Sequence, residues 1–364
     1  MRLHPTLSAY IGRQFLQWWL AVFLMLVALI ALFDTLEIMR KTSAIEQVTL
    51  FDVIAMMLFK LPHLAQKAIP FTVLFGGMLA FWRLNRHHEL VIPRAAGVSA
   101  WEFLLPVLLI AALIGVIKVT VYSPFASAMM MRYEQLNSIN KRGSSSLAAL
   151  SDDGLWLRQR TDDGHYILHA GAIRPDDMAL NRVIVFRFGQ DDSFDSRVDA
   201  VSATLEPGHW RLRGARVNSP RIPVATHAEI RIPSNLTREN IQDSFAKPET
   251  MSFWTLPGFI GVLEQAGFSG LRHRIYWYGQ LADPFLLCAM VLFAAAFTLR
   301  PMRRGGTTLL IAAGIGTGFM IYFATDVVYA LGMSARIPAL LAAWSPAAVG
   351  CLLATAFLFH LEDG

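Results

Sequence analysis

The chain has 364 residues, of which 54% are hydrophobic and only 16% are charged, whereas a soluble domain has about 25% charged residues. This composition indicates a membrane protein and excludes a disordered chain, a disulfide-framed secreted module and a collagen-like fibre. Residues 141–249 contain 15 basic and 15 acidic side chains and are therefore neutral overall. The net charge of +5 comes from the apolar parts of the chain on either side. No basic stripe with interleaved aromatic residues occurs there, so we expect no nucleic-acid partner.

Six apolar segments are long enough to cross a bilayer, which takes about 20 helical residues. They are residues 15–33, 66–82, 103–122, 276–299, 307–331 and 337–359. The first is too long for a signal-peptide core, so we expect it to be retained as a span. Charged residues and prolines from Lys60 to Pro70 interrupt the second apolar block. Residues 50–61 are therefore expected to form a separate interfacial helix. Lys118, near one end of the third span, is expected to snorkel to the outer interface.

The orientation follows from the basic residues in the short connections, which favour the cytoplasm. These residues are Arg83, Arg86 and Arg94 between spans two and three, and Arg300, Arg303 and Arg304 between spans four and five. If the helices alternate, both connections and both termini are cytoplasmic, and the central segment is periplasmic in a bacterium. The predicted domains are residues 1–122 with three spans, a periplasmic domain over 123–273, and residues 274–364 with three more spans.

The central segment is predicted to be all-β. Short stretches at 154–158, 165–169, 182–188, 209–213 and 227–232 are separated by turn residues such as Pro207-Gly208, and several alternate apolar with polar residues. Many short strands at regular spacing indicate a sandwich, a barrel or a jelly roll.

No motif for catalysis, cofactor binding or metal binding occurs in the sequence. It contains no phosphate loop, no HExxH, no CxxC and no GxSxG. The chain is therefore predicted not to be an enzyme and to need no cofactor or metal. His87-His88-Glu89 is interpreted as a solvated loop, and Cys288 and Cys351 as small packed hydrophobes. Asp283 and Asp326 lie within spans, where contacts between helices or with a polar ligand head are favoured over a proton relay.

Two stretches show a resemblance to a known family. The first is Tyr10-Ile11-Gly12-Arg13, which opens span one. The second covers residues 61–99 and ends in the pattern R-x-x-E-L-V-x-x-R-A-A-G-x-S. Together they resemble the lipopolysaccharide-export permeases of the LptF/LptG family, the transmembrane subunits of an ABC-type transporter, and the resemblance extends over essentially the whole chain. It implies six transmembrane helices, three before and three after a periplasmic all-β, jelly-roll-like domain. The short C-terminal tail and the basic pair after span one favour the G-type member.

The resemblance implies a permease that extracts lipopolysaccharide from the inner membrane and passes it to a periplasmic bridge. The implied partners are an LptF-like permease in a heterodimer, a dimeric LptB-like cytoplasmic ATPase and LptC- and LptA-like jelly-roll proteins that pair with an edge strand. Two other functions stay open at this point. One is a non-transporting inner-membrane scaffold that recruits periplasmic partners, and the other is an intramembrane enzyme, against which the lack of a nucleophile–base pair counts.

Lipopolysaccharide combines acyl chains with a phosphorylated sugar head, so its binding requires an apolar chamber with cations at the outer interface. The predicted head contacts are Arg40, Lys41, His63, Lys67, Arg132 and Arg272, with anchoring to ordinary lipid heads as the alternative for each. Asp34 departs from the G-type pattern, which tends to have a basic residue there. We expect it either to pair with a neighbouring Arg or Lys or to mark a different lipid head.

The resemblance also implies a cytoplasmic coupling helix over about residues 86–97, which docks in a groove of the ATPase. The predicted coupling residues are Arg86, Glu89, Leu90, Val91 and Arg94. Glu89 is expected to be the charged contact and Leu90 and Val91 part of the apolar contact. The alternative is a solvated loop in which Glu89 has no partner.

Overall fold

The structure of the chain is a computed structural model. It describes residues 5–42, 49–87, 89, 100–140, 146–151, 154–161, 164–173, 179–191, 193–220, 222–234, 247–265, 269–298 and 307–362. The chain divides into two compact units. The helical unit comprises residues 1–137, 249–254 and 274–364, and the β unit comprises residues 138–248 and 255–273.

The helical unit is built from long helices, most of which are apolar. They are α1 (Pro5–Thr42), α2 (Leu50–Arg86), α3 (Ala100–Ile117), α4 (Ser123–Asn140), α6 (Leu271–Thr298), α7 (Thr307–Met333) and α8 (Ala339–Glu362). One π-helical turn, π1 (Lys118–Tyr122), joins α3 to α4. In the described part of the chain, six helical segments are long and apolar enough to cross a membrane. The predicted membrane-helical class with six spans is confirmed.

Helix α2 is one continuous helix of 37 residues that passes through Pro62 and Pro70. A capping box begins it: Asp52 Oδ2 accepts a hydrogen bond from the Thr49 backbone nitrogen at 2.9 Å, and Thr49 Oγ1 accepts one from Asp52 N. The separate interfacial helix expected over residues 50–61 is therefore wrong. At about 1.5 Å per residue α2 is roughly 55 Å long, so it extends well past a hydrocarbon core of about 30 Å.

Helix α4 is a second departure, because the sequence predicted that the β domain begins at residue 123. The helix instead continues to Asn140. Its polar composition gives no apolar span, but Tyr133 and Leu136 pack on a small core of Ile38, Val53 and Met56. This packing against α1 and α2 stabilises a helix that has little hydrophobic pattern of its own.

Glycines allow close packing of the spans at two crossings. A Cβ atom on Gly76 would lie 2.6 Å from the Cα of Trp19, and one on Gly115 would lie 2.5 Å from the Cα of Pro284. The backbones of α1 and α2, and of α3 and α6, therefore approach too closely for any side chain at these positions.

The β unit is an antiparallel sheet of seven described strands. They are β1 (Ser146–Ser151), β2 (Gly154–Thr161), β3 (Gly164–Ile173), β4 (Leu180–Phe188), β5 (Phe194–Glu206), β6 (His209–Ser219) and β7 (Ile222–Pro233). The β domain predicted in the insert is confirmed, although helices cover Ser123–Asn140 and Leu256–Gln265 of the same insert. The strands pair in chain order, so the described pairings form a meander and include no Greek-key crossover of the kind common in jelly rolls. Gly208, at φ 84°, makes the predicted turn between β5 and β6.

One face of the sheet contributes the core of the β unit. Trp210 and Leu212 of β6 are fully buried together with Leu168 of β3 and Val185 of β4. Leu263 of helix α5 (Leu256–Gln265) joins this cluster. A polar network lies within the unit, in which Tyr166 Oη and Ser234 Oγ both donate to Gln159 Oε1.

Candidate lipid and coupling sites

The end of α1, the first half of α2 and α4 form a cationic corner, defined here as Arg40, Lys41, Lys60 and Arg132. The Ile38–Val53–Met56 core lies at this junction. Lys60 Nζ lies 5.6 Å from the centroid of the Tyr133 ring, and the Arg132 guanidinium lies 6.0 Å from that of Phe59. The structure thus brings Arg40, Lys41 and Arg132 of the predicted head contacts into one region.

Two of the cations in the corner already have acidic partners. Asp34 is only 5% exposed and forms an ion pair with Lys60. Lys41 forms an exposed ion pair with Glu37 one helical turn earlier. Of the two expectations for Asp34, the structure shows the first, pairing with a neighbouring basic residue. The departure from the G-type pattern therefore does not place an unpaired carboxylate among the cations.

His63 and Lys67 lie elsewhere, in a cavity of about 320 Å³ within the helical unit. The cavity is bounded by α2, π1, α6, α7 and α8. Its polar lining consists of His63, Gln66, Lys67, Lys118, Tyr276, Gln280, Asp283, Tyr322, Thr325, Asp326 and Tyr329. Arg272 lies in the first turn of α6, in the stretch that groups with the β unit. The predicted head contacts are thus divided between the corner, the cavity and the β unit.

The cavity contains a buried ion pair that the sequence did not reveal. Lys118 Nζ lies 2.7 Å from Asp283 Oδ2, and their side chains are 6% and 15% exposed. The expectation that Lys118 snorkels to the interface is wrong, because its ammonium group turns inward to a carboxylate 165 residues away. The only feature of the sequence that could have indicated this pair is the single isolated charge in each of the two spans.

The described part of the predicted coupling region contacts α1. Tyr10 Oη donates a hydrogen bond of 2.9 Å to Glu89 Oε2. The Arg86 guanidinium lies 5.1 Å from the centroid of the Trp82 ring. Glu89 therefore has a partner, unlike in the solvated-loop alternative. Leu90, Val91 and Arg94 lie outside the described residues.

Helices α1 and α7 leave most of their apolar surface uncovered. Within the most apolar stretch of 18 residues, only 11% of the residues are buried in each of these two helices, whereas 61% are buried in α2 and in α6. Phe33 and Leu36 of α1 are 61% and 56% exposed, and Phe319 and Met320 of α7 are 67% and 71% exposed. Such faces are suited to acyl chains or to another apolar helix.

Neither cysteine is placed for metal binding. Cys288 Sγ contacts the carbonyl oxygen of Leu108 at 3.7 Å, and Cys351 Sγ contacts that of Phe285 at 3.3 Å. Among the described residues, no group of three or more His, Cys, Asp or Glu side chains is positioned to hold a metal ion.

Comparison with known proteins identifies the family. The profile described as "Lipopolysaccharide export system permease LptF/LptG" matches residues 9–360. The chain belongs to the LptF/LptG family. It is 22% identical over 360 residues to the lipopolysaccharide export system permease protein LptG of Escherichia coli strain K12, covering 96% of each chain. It is also 22% identical over 349 residues to the LptG protein of Haemophilus influenzae, covering 94% of each chain.

Membership of the LptF/LptG family agrees with the resemblance derived from the sequence, and both of these relatives have the G-type name. The two stretches that gave the resemblance, around Tyr10 and around Glu89, are in direct contact.

Proposed function

We propose that the chain is the transmembrane permease subunit of an ABC-type transporter, which extracts lipopolysaccharide from the inner membrane and passes it to a periplasmic bridge. The observation that supports this most is the position of the cationic corner at the end of the uncovered apolar face of α1. Leu36 is 56% exposed, and Arg40 follows one helical turn later. A phosphorylated head with acyl chains below it has the same order of polar and apolar parts.

Extraction of such a lipid needs external work. Each CH₂ group removed from an apolar environment costs about 0.8 kcal/mol, and lipopolysaccharide has several acyl chains. The sequence contains no phosphate loop, so ATP hydrolysis belongs to a separate subunit in this proposal. The ATPase docks near Glu89 and Arg86, and both termini lie with it in the cytoplasm.

The remaining partners follow from the uncovered surfaces. A homologous permease packs beside α1 and α7, the two spans with the least buried surface, and the two subunits enclose a lipid chamber. The β unit is periplasmic in this arrangement. Its outermost described strands, β1 and β7, leave a sheet edge for strand addition by a bridge protein with the same fold.

A photo-crosslinking experiment on α1 tests the proposal. A photoreactive residue replaces Leu36, which is 56% exposed, or Ile38, which is 3% exposed. These positions lie two residues apart on different faces of one helix, so they lie at about the same depth, and labelling is normalised to the amount of each folded variant in the membrane. Crosslinking in living cells is expected to capture lipopolysaccharide at Leu36 and not at Ile38.

The scaffold alternative gives a different result. A protein that only recruits partners captures bulk phospholipid at Leu36, with no dependence on ATPase activity. Equal labelling at both positions, or labelling at Leu36 by bulk phospholipid without lipopolysaccharide, contradicts the export proposal.

A further inference from the structure

The cavity among α2, π1, α6, α7 and α8 has an unusual lining for a membrane-spanning unit. Charged and hydroxyl side chains from four of these elements line it, together with apolar residues such as Phe71, Leu286 and Met290. Ionisable groups inside a membrane are costly and mark functional sites by default. The cavity volume of about 320 Å³ lies at the lower end of the range of about 300–1,000 Å³ that is typical of small-molecule sites. This is enough space for a lipid headgroup.

The cavity wall includes a buried hydrogen-bond donor that lacks an acceptor. Gln280 is only 3% exposed, and its Oε1 accepts a hydrogen bond of 2.7 Å from Ser123 Oγ. Its Nε2 has no hydrogen-bond partner among the described residues. A buried N–H group without an acceptor is disfavoured, so an acceptor oxygen from a ligand would complete this wall of the cavity.

The charges in and beside the cavity favour a ligand with both signs. Lys118 and Asp283 neutralise each other. Lys67 on α2 and Asp326 on α7 also line the cavity, and neither forms an ion pair with the part of the chain that is described. Glu249 lies close enough to His63 and Tyr276 to affect both electrostatically. With the Lys118–Asp283 pair neutral, the two remaining carboxylates outnumber the one remaining ammonium group, so the charges favour a headgroup that carries a positive charge as well as a phosphate.

We propose that this cavity binds a zwitterionic lipid headgroup, a phosphate joined to a primary amine. The phosphate faces Lys67 and the free N–H of Gln280, which act as cation and hydrogen-bond donor. The ammonium group faces Asp326 and the ring of Tyr322, one helical turn earlier on α7, which supply a carboxylate and a cation–π surface. The apolar lining accommodates the start of the acyl chains.

Access to the cavity is through α7. Tyr322 is 51% exposed and Asp326 is also exposed, although both line the cavity. The Tyr322 ring lies 5.9 Å from that of Phe71, centroid to centroid, so an aromatic pair flanks this opening. A lipid in the bilayer, or in the chamber between the two proposed subunits, can therefore enter along α7 without crossing the helical unit.

Native mass spectrometry tests the proposal on the full chain with any subunits that co-purify. The protein is reconstituted in nanodiscs of equimolar phosphatidylethanolamine and phosphatidylglycerol, and the lipids retained after release are counted. We expect one phosphatidylethanolamine per chain, enriched about tenfold over phosphatidylglycerol. Asp326→Asn and Lys67→Gln should each abolish this enrichment. Asp199→Asn, which removes a carboxylate from the β unit, should preserve it.

A change on the ligand side makes the test independent of variant folding. Phosphatidylethanolamine that is acetylated on nitrogen keeps its phosphate and loses its positive charge. Wild-type protein should retain it no better than phosphatidylglycerol. Equal retention of the acetylated lipid, no retained lipid, or unchanged enrichment in both variants would overturn the proposal.

A final comparison identifies the source of the headgroup. Nanodiscs of phosphatidylglycerol are supplied with lipopolysaccharide that does or does not bear a phosphoethanolamine group. Preferential retention of the decorated form supports the same chemistry on a glycolipid, and retention of phosphatidylethanolamine alone supports it on a glycerophospholipid. Failure to retain either overturns the site. The export proposal is tested separately by crosslinking at Leu36, so either proposal can fail while the other stands.

Discussion

Tyr10 near the start of α1 and Glu89 after the end of α2 are joined by a hydrogen bond of 2.9 Å between Tyr10 Oη and Glu89 Oε2. The contact joins two parts of the chain that are 79 residues apart. Helix α1 contributes Arg40 and Lys41 to the cationic corner at its other end. The contact therefore holds the start of α1 beside the proposed ATPase-docking region, while the opposite end of the same helix carries the proposed lipid contacts.

The first prediction separates two roles of Glu89. Glu89→Lys should lower export and ATPase co-purification by at least about tenfold, equivalent to about 1.4 kcal/mol, because it reverses the charge offered to the partner. Tyr10→Phe removes the hydrogen bond from the other side and keeps the carboxylate, so both readouts should stay within about twofold of wild type. Pull-down of the ATPase and surface lipopolysaccharide measure the two effects. Equal losses in both variants would show that Glu89 acts by positioning α1.

The second prediction concerns the buried pair of Lys118 and Asp283. Lys118→Met should destabilise the helical unit by about 3 kcal/mol, because it leaves a buried carboxylate without a partner. Adding Asp283→Asn should recover much of this loss, because the second substitution removes the uncompensated charge. Thermal unfolding of the two single variants and the double variant in detergent gives the coupling energy. Additive losses would mean that water, and not the partner, stabilises each charge.

The sequence predicts the structure correctly where the deciding pattern lies within one short stretch of the chain. Apolar runs of the required length predicted the spans, and alternation with turn residues predicted the strands. It was a poor guide where a long-range contact decides the outcome. The position of Lys118 near one end of its span predicts an interfacial side chain, and no local pattern indicates the pairing with Asp283, 165 residues away. The prolines likewise predict a break in α2 near Pro62. The Pro62 carbonyl oxygen instead accepts a hydrogen bond of 3.1 Å from Tyr122 Oη, a tertiary contact within the continuous helix.

In the candidate sites, too, long-range contacts decide what the sequence cannot predict. The basic residues near the span ends were evident, but their division between a corner and a cavity was not. Lys67 lies only seven residues after Lys60 on one helix, and the two face different neighbours: Asp34 for Lys60 and the cavity for Lys67. The hydropathy pattern gives no indication of helix α4, because its sequence is largely polar. Its register against α1 and α2 places Arg132 in the corner, and packing determines that register.

The third prediction compares two glycines in the spans. Gly115→Ala should destabilise the protein by about 1–3 kcal/mol, because the new methyl group would lie 2.5 Å from the Cα of Pro284, a backbone atom that cannot rotate away. Gly316→Ala meets no atom of the described residues within 4 Å and should be neutral or stabilising by up to about 1 kcal/mol, since alanine favours the helix. Melting temperatures of the two variants provide the comparison, and a loss of stability in both would point to a general intolerance of larger residues.

The fourth prediction is an alkaline transition in the β unit. Burial raises the pKa of Tyr166 from 10.0 to about 12, so the folded state favours the neutral phenol. The preference of the folded state for the neutral phenol contributes about 3 kcal/mol of stability, which is fully present below pH 10 and is lost as the pH rises from 10 towards 12. Subtracting the phenolate absorbance titration of Tyr166→Phe from that of the wild type isolates this one group.

The structural consequence of that titration can be followed at Trp210, which is fully buried in the same core. Radical footprinting of the full chain should leave Trp210 protected at pH 9 and expose it as Tyr166 ionises. In Tyr166→Phe the loss of the hydrogen bond to Gln159 lowers stability at neutral pH by about 1 kcal/mol, but the transition specific to this phenol disappears. A Trp210 signal that changes at the same pH in both proteins would assign the transition to other groups.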